Sequence, residues 1–223
     1  MNEILIYDIV GQDQFGAGVT AVDVKAQLDG MEGDITLRIN SPGGDVFEGL
    51  AIHNLLKEHE GNVTVKIDGY AASIASVIAM AGDSIEMAKN AMFMIHNPYT
   101  FSIGDAAEMR KQADVLDKVK DSLITTYEAR TQFSAEELSS LMDEETWFSA
   151  EESTGNGFAD MIADQNAKIS NVSSFEWINK APEAPEVEEV KLHPVPTGAD
   201  CLARSVELDA LRADVTRQRN LLK

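Results

Sequence analysis

A serine that attacks a carbonyl needs an exposed place on a sharp turn, a base within reach, and donors for the charge that develops on the carbonyl oxygen. The stretch Gly69-Tyr70-Ala71-Ala72-Ser73 offers the first. Its small residues let a substrate backbone approach, and a helix opening at Ser73 would point backbone N–H groups at the site. Alone, the pattern fits a tight-packing serine equally well. Ser76, about one helical turn further on, is expected to be dispensable. The chain has four histidines. His53 and His59 fall on a stretch of helical spacing, His59 at the C-terminal end where partial positive charge suits the dipole. His193 lies in a proline-rich segment. His96 follows the apolar run Met92-Phe93-Met94-Ile95 and precedes Asn97-Pro98, so it sits where a strand opens into a loop, the place where parallel α/β sheets present functional groups. Gly43-Gly44 can adopt positive φ and offer N–H groups to an anion. The loop lacks the Walker Lys-Ser/Thr and the spaced G-x-G-x-x-G pattern, so an oxyanion site or a plain turn fits it better than a phosphate cradle.

The elements that must position these residues can be read from periodicity. Glu3 to Val10 is a short apolar run of strand type. Thr20 or Asp23 can cap a helix through Leu28. Ile35, Leu37 and Ile39 alternate with Thr36 and Arg38, the period of a strand. After the turn Ser41-Pro42-Gly43-Gly44-Asp45, Val46 to His59 has helical spacing, and Val63, Val65 and Ile67 give another strand. Ser73 to Ala81 suits a buried helix ended by Gly82, and Ile85 to Met87 and Met92 to Ile95 suggest two more strands. Strand, turn, helix, strand, turn, helix implies right-handed crossovers and an α/β core. Asp105 to Arg130 is a long helical stretch without Pro or Gly, with Met109, Leu116, Val119, Leu123 and Ile124 along it. It is too long for a small domain to cover, which points to a partner surface. Ser134 with Glu137, and Ser149 with Glu152, have the spacing of capping boxes.

Acidic residues outnumber basic ones, 38 to 18, for a net charge of −20. Such a surface repels phosphate backbones and anionic lipid, which argues against nucleic-acid and membrane partners. Cys201 is the single cysteine, no stretch is apolar for long enough to span a membrane, and the acidic N-terminus does not read as a signal peptide. The expectation is a cytoplasmic protein. No cofactor motif or metal-ligand cluster is present in the sequence pattern, so none is expected. Composition shifts near Lys180, where Pro182, Pro185, Pro194 and Pro196 mix with glutamates. The expected organisation is a catalytic domain over 1–178, a Pro/Glu-rich linker over 179–198 and a charged helical tail over 199–223.

Taken together, Asn40-Ser41-Pro42-Gly43-Gly44-Asp45, then Gly69 to Ser73, then Met94-Ile95-His96 are far more specific than any one of them. In that order they resemble the proteolytic subunit of Clp protease, with its N-S-P-G-G loop, G-x-A-A-S nucleophile turn and M-I-H base. The resemblance runs over roughly residues 3 to 165 and includes the long helix, which is that family's handle between two rings, and Trp147 to Glu152 with Gly157 to Asp160. It implies the ClpP/crotonase-like α/β fold, built of repeated ββα-type units with a long handle helix. It implies a serine endopeptidase with Ser73 as nucleophile, His96 as base, Gly43, Gly44 and Ile74 at the oxyanion and substrate site, and a homo-oligomeric ring acting on polypeptides. The wording of Phe47 to Ile52, Ser73 to Ser76, Ala81 to Asp83 and Glu145 to Trp147 is similar to one branch, the Clp-related head maturation proteases of tailed bacteriophages. That branch implies prohead maturation in the host cytoplasm, with capsid or scaffold protein as partner.

One position departs from the family pattern. Where the classical triad aspartate would fall, this chain has Leu141. Asp143 is the nearest aspartate and the expected third member, with Glu144 and Glu145 as alternatives on a shifted turn. Three competing readings are a crotonase-type acyl-CoA enzyme, which needs neither Ser73 nor His96, a Ser-Lys peptidase using Lys66, and an idle ring-forming scaffold. A general protein-degrading Clp subunit is the alternative to capsid maturation, and no motif assigns or excludes an unfoldase ATPase partner.

Overall fold

A computed structural model describes residues 2–12 and 16–163. The expected boundary near 178, the linker over 179–198 and the tail over 199–223 lie outside the described residues. So do Cys201 and His193.

Alternation of apolar residues builds a sheet with one buried face. In β2 (Ile35–Ser41), and in β3 (Val63–Ala72) as far as Ile67, every second side chain is buried, among them Ile35, Leu37, Ile39, Val63, Val65 and Ile67. With β1 (Asn2–Ile6), β4 (Ser84–Met87) and β7 (Met161–Ile162) they form a parallel run in the order β1-β2-β3-β4-β7. The opposite face carries a polar row across the strands, in which Arg38 pairs with Asp68 and Lys66 with Glu86 at 2.8 Å.

Strand β3 is longer than its neighbours and is shared between two of them. Its first half, Thr64 to Ile67, pairs with β4, and its last residues, Tyr70 to Ala72, pair with β5 (Met92–Ile95). This division places the end of β5 beside the end of β3. Sequence periodicity misses two strands, the two-residue β7 and also β6 (Thr146–Ser149), which runs antiparallel to β5. Strand β6 is only four residues long and lies between two acid-rich capping segments, too short to show a period.

The helices begin where their caps predict. Thr20 and Asp23 form a capping box on α1 (Ala21–Leu28), Asp45 caps α2 (Val46–Lys57), and capping boxes start at Ser134 on α5 (Ala135–Asp143) and Ser149 on α6 (Ala150–Asn156). The short helix α3 (Ile74–Ala79) is buried at every position. It lies so close to α2 that a Cβ at Gly49 would fall 2.1 Å from Ile74 Cγ1. The long helix α4 (Ala106–Glu128) buries only Leu123, Ile124 and Tyr127, all in its last two turns. Met109 and Val115 are exposed, so the first half of the helix projects beyond the core.

Phe158 closes the core beneath α4. Its ring lies 4.8 Å from that of Phe148, 5.0 Å from Phe93, 5.9 Å from Tyr127 and 6.0 Å from Phe133, centroid to centroid. These partners come from β5, β6, α4 and the segment before α5, so one side chain joins four parts of the chain. Phe158→Ala should therefore cost about 3–5 kcal/mol, the range for a fully buried phenylalanine. Urea unfolding followed by circular dichroism should show that loss as a lowered midpoint.

Candidate active site

The end of β3 does not run smoothly into α3. Ser73, between them, has φ 57° and ψ −130°, a conformation that costs a non-glycine residue energy unless its surroundings enforce it. Here they do. Ser73 N–H donates to Met94 C=O on β5 at 3.0 Å, and Ser73 C=O accepts from Ser76 N–H at 3.0 Å. The kink turns the Ser73 side chain toward His96, whose Nε2 lies 2.8 Å from Ser73 Oγ. Because β5 pairs in parallel with the last residues of β3, with Met94 opposite Ala72, Ile95 comes level with Ser73 and His96 follows one residue later.

Gly43 explains how closely the second loop approaches. A Cβ there would stand 2.6 Å from Ala72 C=O and 2.8 Å from Ser73 Cβ, and its φ is +86°. Its N–H is engaged by Ser41 Oγ at 3.1 Å, so it contributes space rather than a donor. On either side of Gly44, Gly43 C=O accepts from Val10 N–H and Asp45 N–H donates to Val10 C=O. That alternation directs Gly44 N–H away from Val10. Ile74 is the first residue of α3, so its N–H has no partner within the helix.

The acid facing the histidine is not the expected one. Asp143 Oδ1 is engaged by Asn97 Nδ2 at 2.7 Å and by Lys120 Nζ of α4 at 2.6 Å. These two donors hold the Asp143 carboxyl below its usual pKa range. Glu145 is the carboxylate beside the imidazole, with Oε2 3.7 Å from His96 Nδ1. Strand register gives the reason. Ile95 pairs with Thr146 across β5 and β6, which brings the next residue of one strand opposite the preceding residue of the other, His96 opposite Glu145. Glu145 reaches that place through a left-handed backbone, φ 49°, just after the end of α5. At 3.7 Å the contact is longer than a hydrogen bond and becomes an ion pair only when His96 is protonated, and a carboxylate this exposed is partly screened by water.

Burial lowers the His96 pKa, and the nearby Glu145 carboxylate raises it in part; the net direction is down. A neutral imidazole is what a base requires. Tyr99 packs edge-on against His96, with ring centroids 5.8 Å apart. The remaining candidates lie elsewhere. His59 Nε2 contacts Gly33 C=O at 2.7 Å, His53 contacts Asn54, and Lys66 is paired with Glu86 on the polar sheet face. Among the described residues no cluster of three or more His, Cys, Asp or Glu could hold a metal ion, and no helix is long and apolar enough to cross a membrane. Sequence reasoning missed Lys120 and Asn97 as partners of Asp143, because neither stands near it in sequence.

Residues 4–166 match a family model described as Clp protease. The chain is 33% identical over 140 residues to proteolytic subunit 3 of the ATP-dependent Clp protease of Rhodococcus jostii, covering 61% of this chain and 69% of that protein. It is 30% identical over 153 residues to proteolytic subunit 1 of the same protease in Prochlorococcus marinus, covering 66% and 78%. Among solved structures, a ClpP1 mutant from Listeria monocytogenes superposes with a TM-score of 0.64 at 26% identity, over 74% of this chain and 92% of that one.

The geometry makes a prediction about pH. Hydrolysis of an activated ester such as p-nitrophenyl acetate should need neutral His96, so the rate should fall as pH drops through the His96 pKa. Since burial dominates that pKa, the midpoint should lie below the ordinary histidine value of about 6.5. Glu145→Gln removes a charge that favours the imidazolium. It should therefore move the midpoint to still lower pH while reducing the plateau rate at least about tenfold.

Proposed function

Because this chain belongs to the Clp protease family of serine peptidases, we propose that it hydrolyses peptide bonds through an acyl-enzyme on Ser73. The observation that carries the reading is the 2.8 Å contact between Ser73 Oγ and His96 Nε2 at a kinked strand end. Ser73 Oγ attacks the peptide carbonyl carbon as His96 Nε2 takes its proton. His96 returns that proton to the leaving amine, and water then repeats the sequence in reverse to release the acid. Gly44 and Ile74 N–H hold the oxyanion, and Gly43 supplies the close approach. Glu145 orients the imidazole and stabilises its charged form. Asp143, first expected in that role, holds Asn97 and α4 in place instead.

The chain acts as a homo-oligomeric ring. The projecting half of α4, with Met109 and Val115 exposed, favours a contact between copies there. The peptidase unit lies within residues 1–178, with the linker and tail outside it. The substrate class is polypeptide. The finer reading is prohead maturation, with capsid or scaffold protein as substrate; the bacteriophage-like wording of Phe47 to Ile52 and Glu145 to Trp147 supports it. General Clp-type degradation fits the family equally, and the two differ in what they cleave.

A fluorogenic peptide assay tests the core of this reading. Purified protein should cleave the peptide, and Ser73→Ala should abolish turnover while leaving the circular dichroism spectrum unchanged. Light scattering should give the mass of an oligomer. Equal turnover in Ser73→Ala, or a monomer at working concentration, would contradict it. Co-expression with the cognate capsid or scaffold protein separates the finer readings, since maturation should yield discrete fragments and degradation should not.

A further inference from the structure

We infer that Tyr127 and Ser76 form a hydrogen-bond relay that positions the peptide group between Ser73 and Ile74, and so acts on catalysis without touching the substrate. Ser76 was expected to be dispensable. It is fully buried, on a helix whose other members are Ile74, Ala75, Val77, Ile78 and Ala79. Its Oγ–H donates to Ser73 C=O at 2.5 Å. A serine has one hydroxyl hydrogen, so the second contact, 2.7 Å to Tyr127 Oη, must be donated by tyrosine. Burial pushes the Tyr127 phenol pKa up, which keeps that donor protonated. The relay therefore has one direction, from Tyr127 O–H to Ser76 Oγ to Ser73 C=O.

Its end point matters because a trans peptide is planar, with C=O and N–H pointing oppositely. Holding Ser73 C=O aims Ile74 N–H the other way, and hydrogen bonds at the carbonyl polarise that N–H into a stronger donor. The inference rests on the oxyanion role proposed for Ile74 N–H. The same bond also secures the Ser73 backbone at φ 57°, since the carbonyl receives both Ser76 N–H and Ser76 Oγ. Serines in helices often bond back to a carbonyl one turn earlier. This one differs in being wholly buried and in receiving a hydroxyl from α4, distant in sequence. An Ala-Phe pair would fill the same space with no polar group to satisfy. A polar pair kept where an apolar one fits points to work done on the peptide it ends on.

Three variants test this: Tyr127→Phe, Ser76→Ala and the double variant. Each is measured for kcat and KM on a small peptide, for inhibition by a peptide boronate whose adduct resembles the tetrahedral intermediate, and for Tm. Ser76→Ala should lower kcat about tenfold, a fraction of what losing an oxyanion donor costs. KM should be little changed, and the boronate should weaken by a similar factor. Ser76→Ala also strands the Tyr127 hydroxyl, so its Tm should fall. The double variant removes the stranded group and should recover Tm but not kcat. Tyr127→Phe keeps the Ser76 bond to Ser73 and should lose about two- to threefold in kcat. If Ser76→Ala does not fold, the double variant carries the test. Recovery of kcat together with Tm in the double variant would overturn the relay and leave the pair as packing. A wild-type protein that Ser73→Ala does not disable would overturn both the relay and the catalytic reading beneath it.

Discussion

The backbone of Ser73 is the constraint on which the rest of the site depends. A residue at φ 57° and ψ −130° stays there only when its neighbours leave no alternative. Its N–H is taken by Met94 on β5, its C=O by Ser76 on α3, and the space on its open side is narrowed by Gly43. Relaxing to an ordinary conformation would break these bonds and push the chain into the Gly43 loop. The strain is thus stored by three separate elements, each anchored in the buried core. Its return is a serine oxygen aimed at an imidazole rather than packed into the sheet.

The same constraint explains the sheet. Sharing β3 between β4 and β5 is what lets β5 end level with Ser73 and deliver His96 on the following residue. Adding β6 antiparallel to β5 then delivers Glu145 opposite His96. Ser73, His96 and Glu145 therefore come from the ends of three adjacent strands, β3, β5 and β6, and their spacing follows from strand pairing. Phe158, packed against Phe93 and Phe148, supports β5 and β6 from below. α4 ties to this cluster at two points, through Tyr127 to Ser76 and through Lys120 to Asp143.

Much of this was legible in the residues. Caps such as Thr20 with Asp23 and Ser149 with Glu152 marked helix starts, because their spacing is dictated by the first helical turn. Ser73 and His96 stood out because a small-residue turn and a strand end are local features. The acid was not legible in the same way. Asp143, Glu144 and Glu145 are consecutive, and choosing among them requires the register of β6 on β5 and the left-handed turn at Glu145. Glutamate gives no sequence signal for such a turn, which glycine or asparagine usually occupies. The contacts of Ser76 are illegible for a related reason: its partner, Tyr127, is remote in sequence and meets it only in the packed core.

The central claim is that the strained turn makes Ser73 uniquely nucleophilic among the serines of this chain. Incubation with a fluorophosphonate, followed by digestion and mass spectrometry, tests it directly. The account predicts one adduct per chain, on Ser73, formed faster as pH rises past the His96 pKa and absent in His96→Ala. An adduct on another serine, or equal labelling of the protein after denaturation, would contradict it.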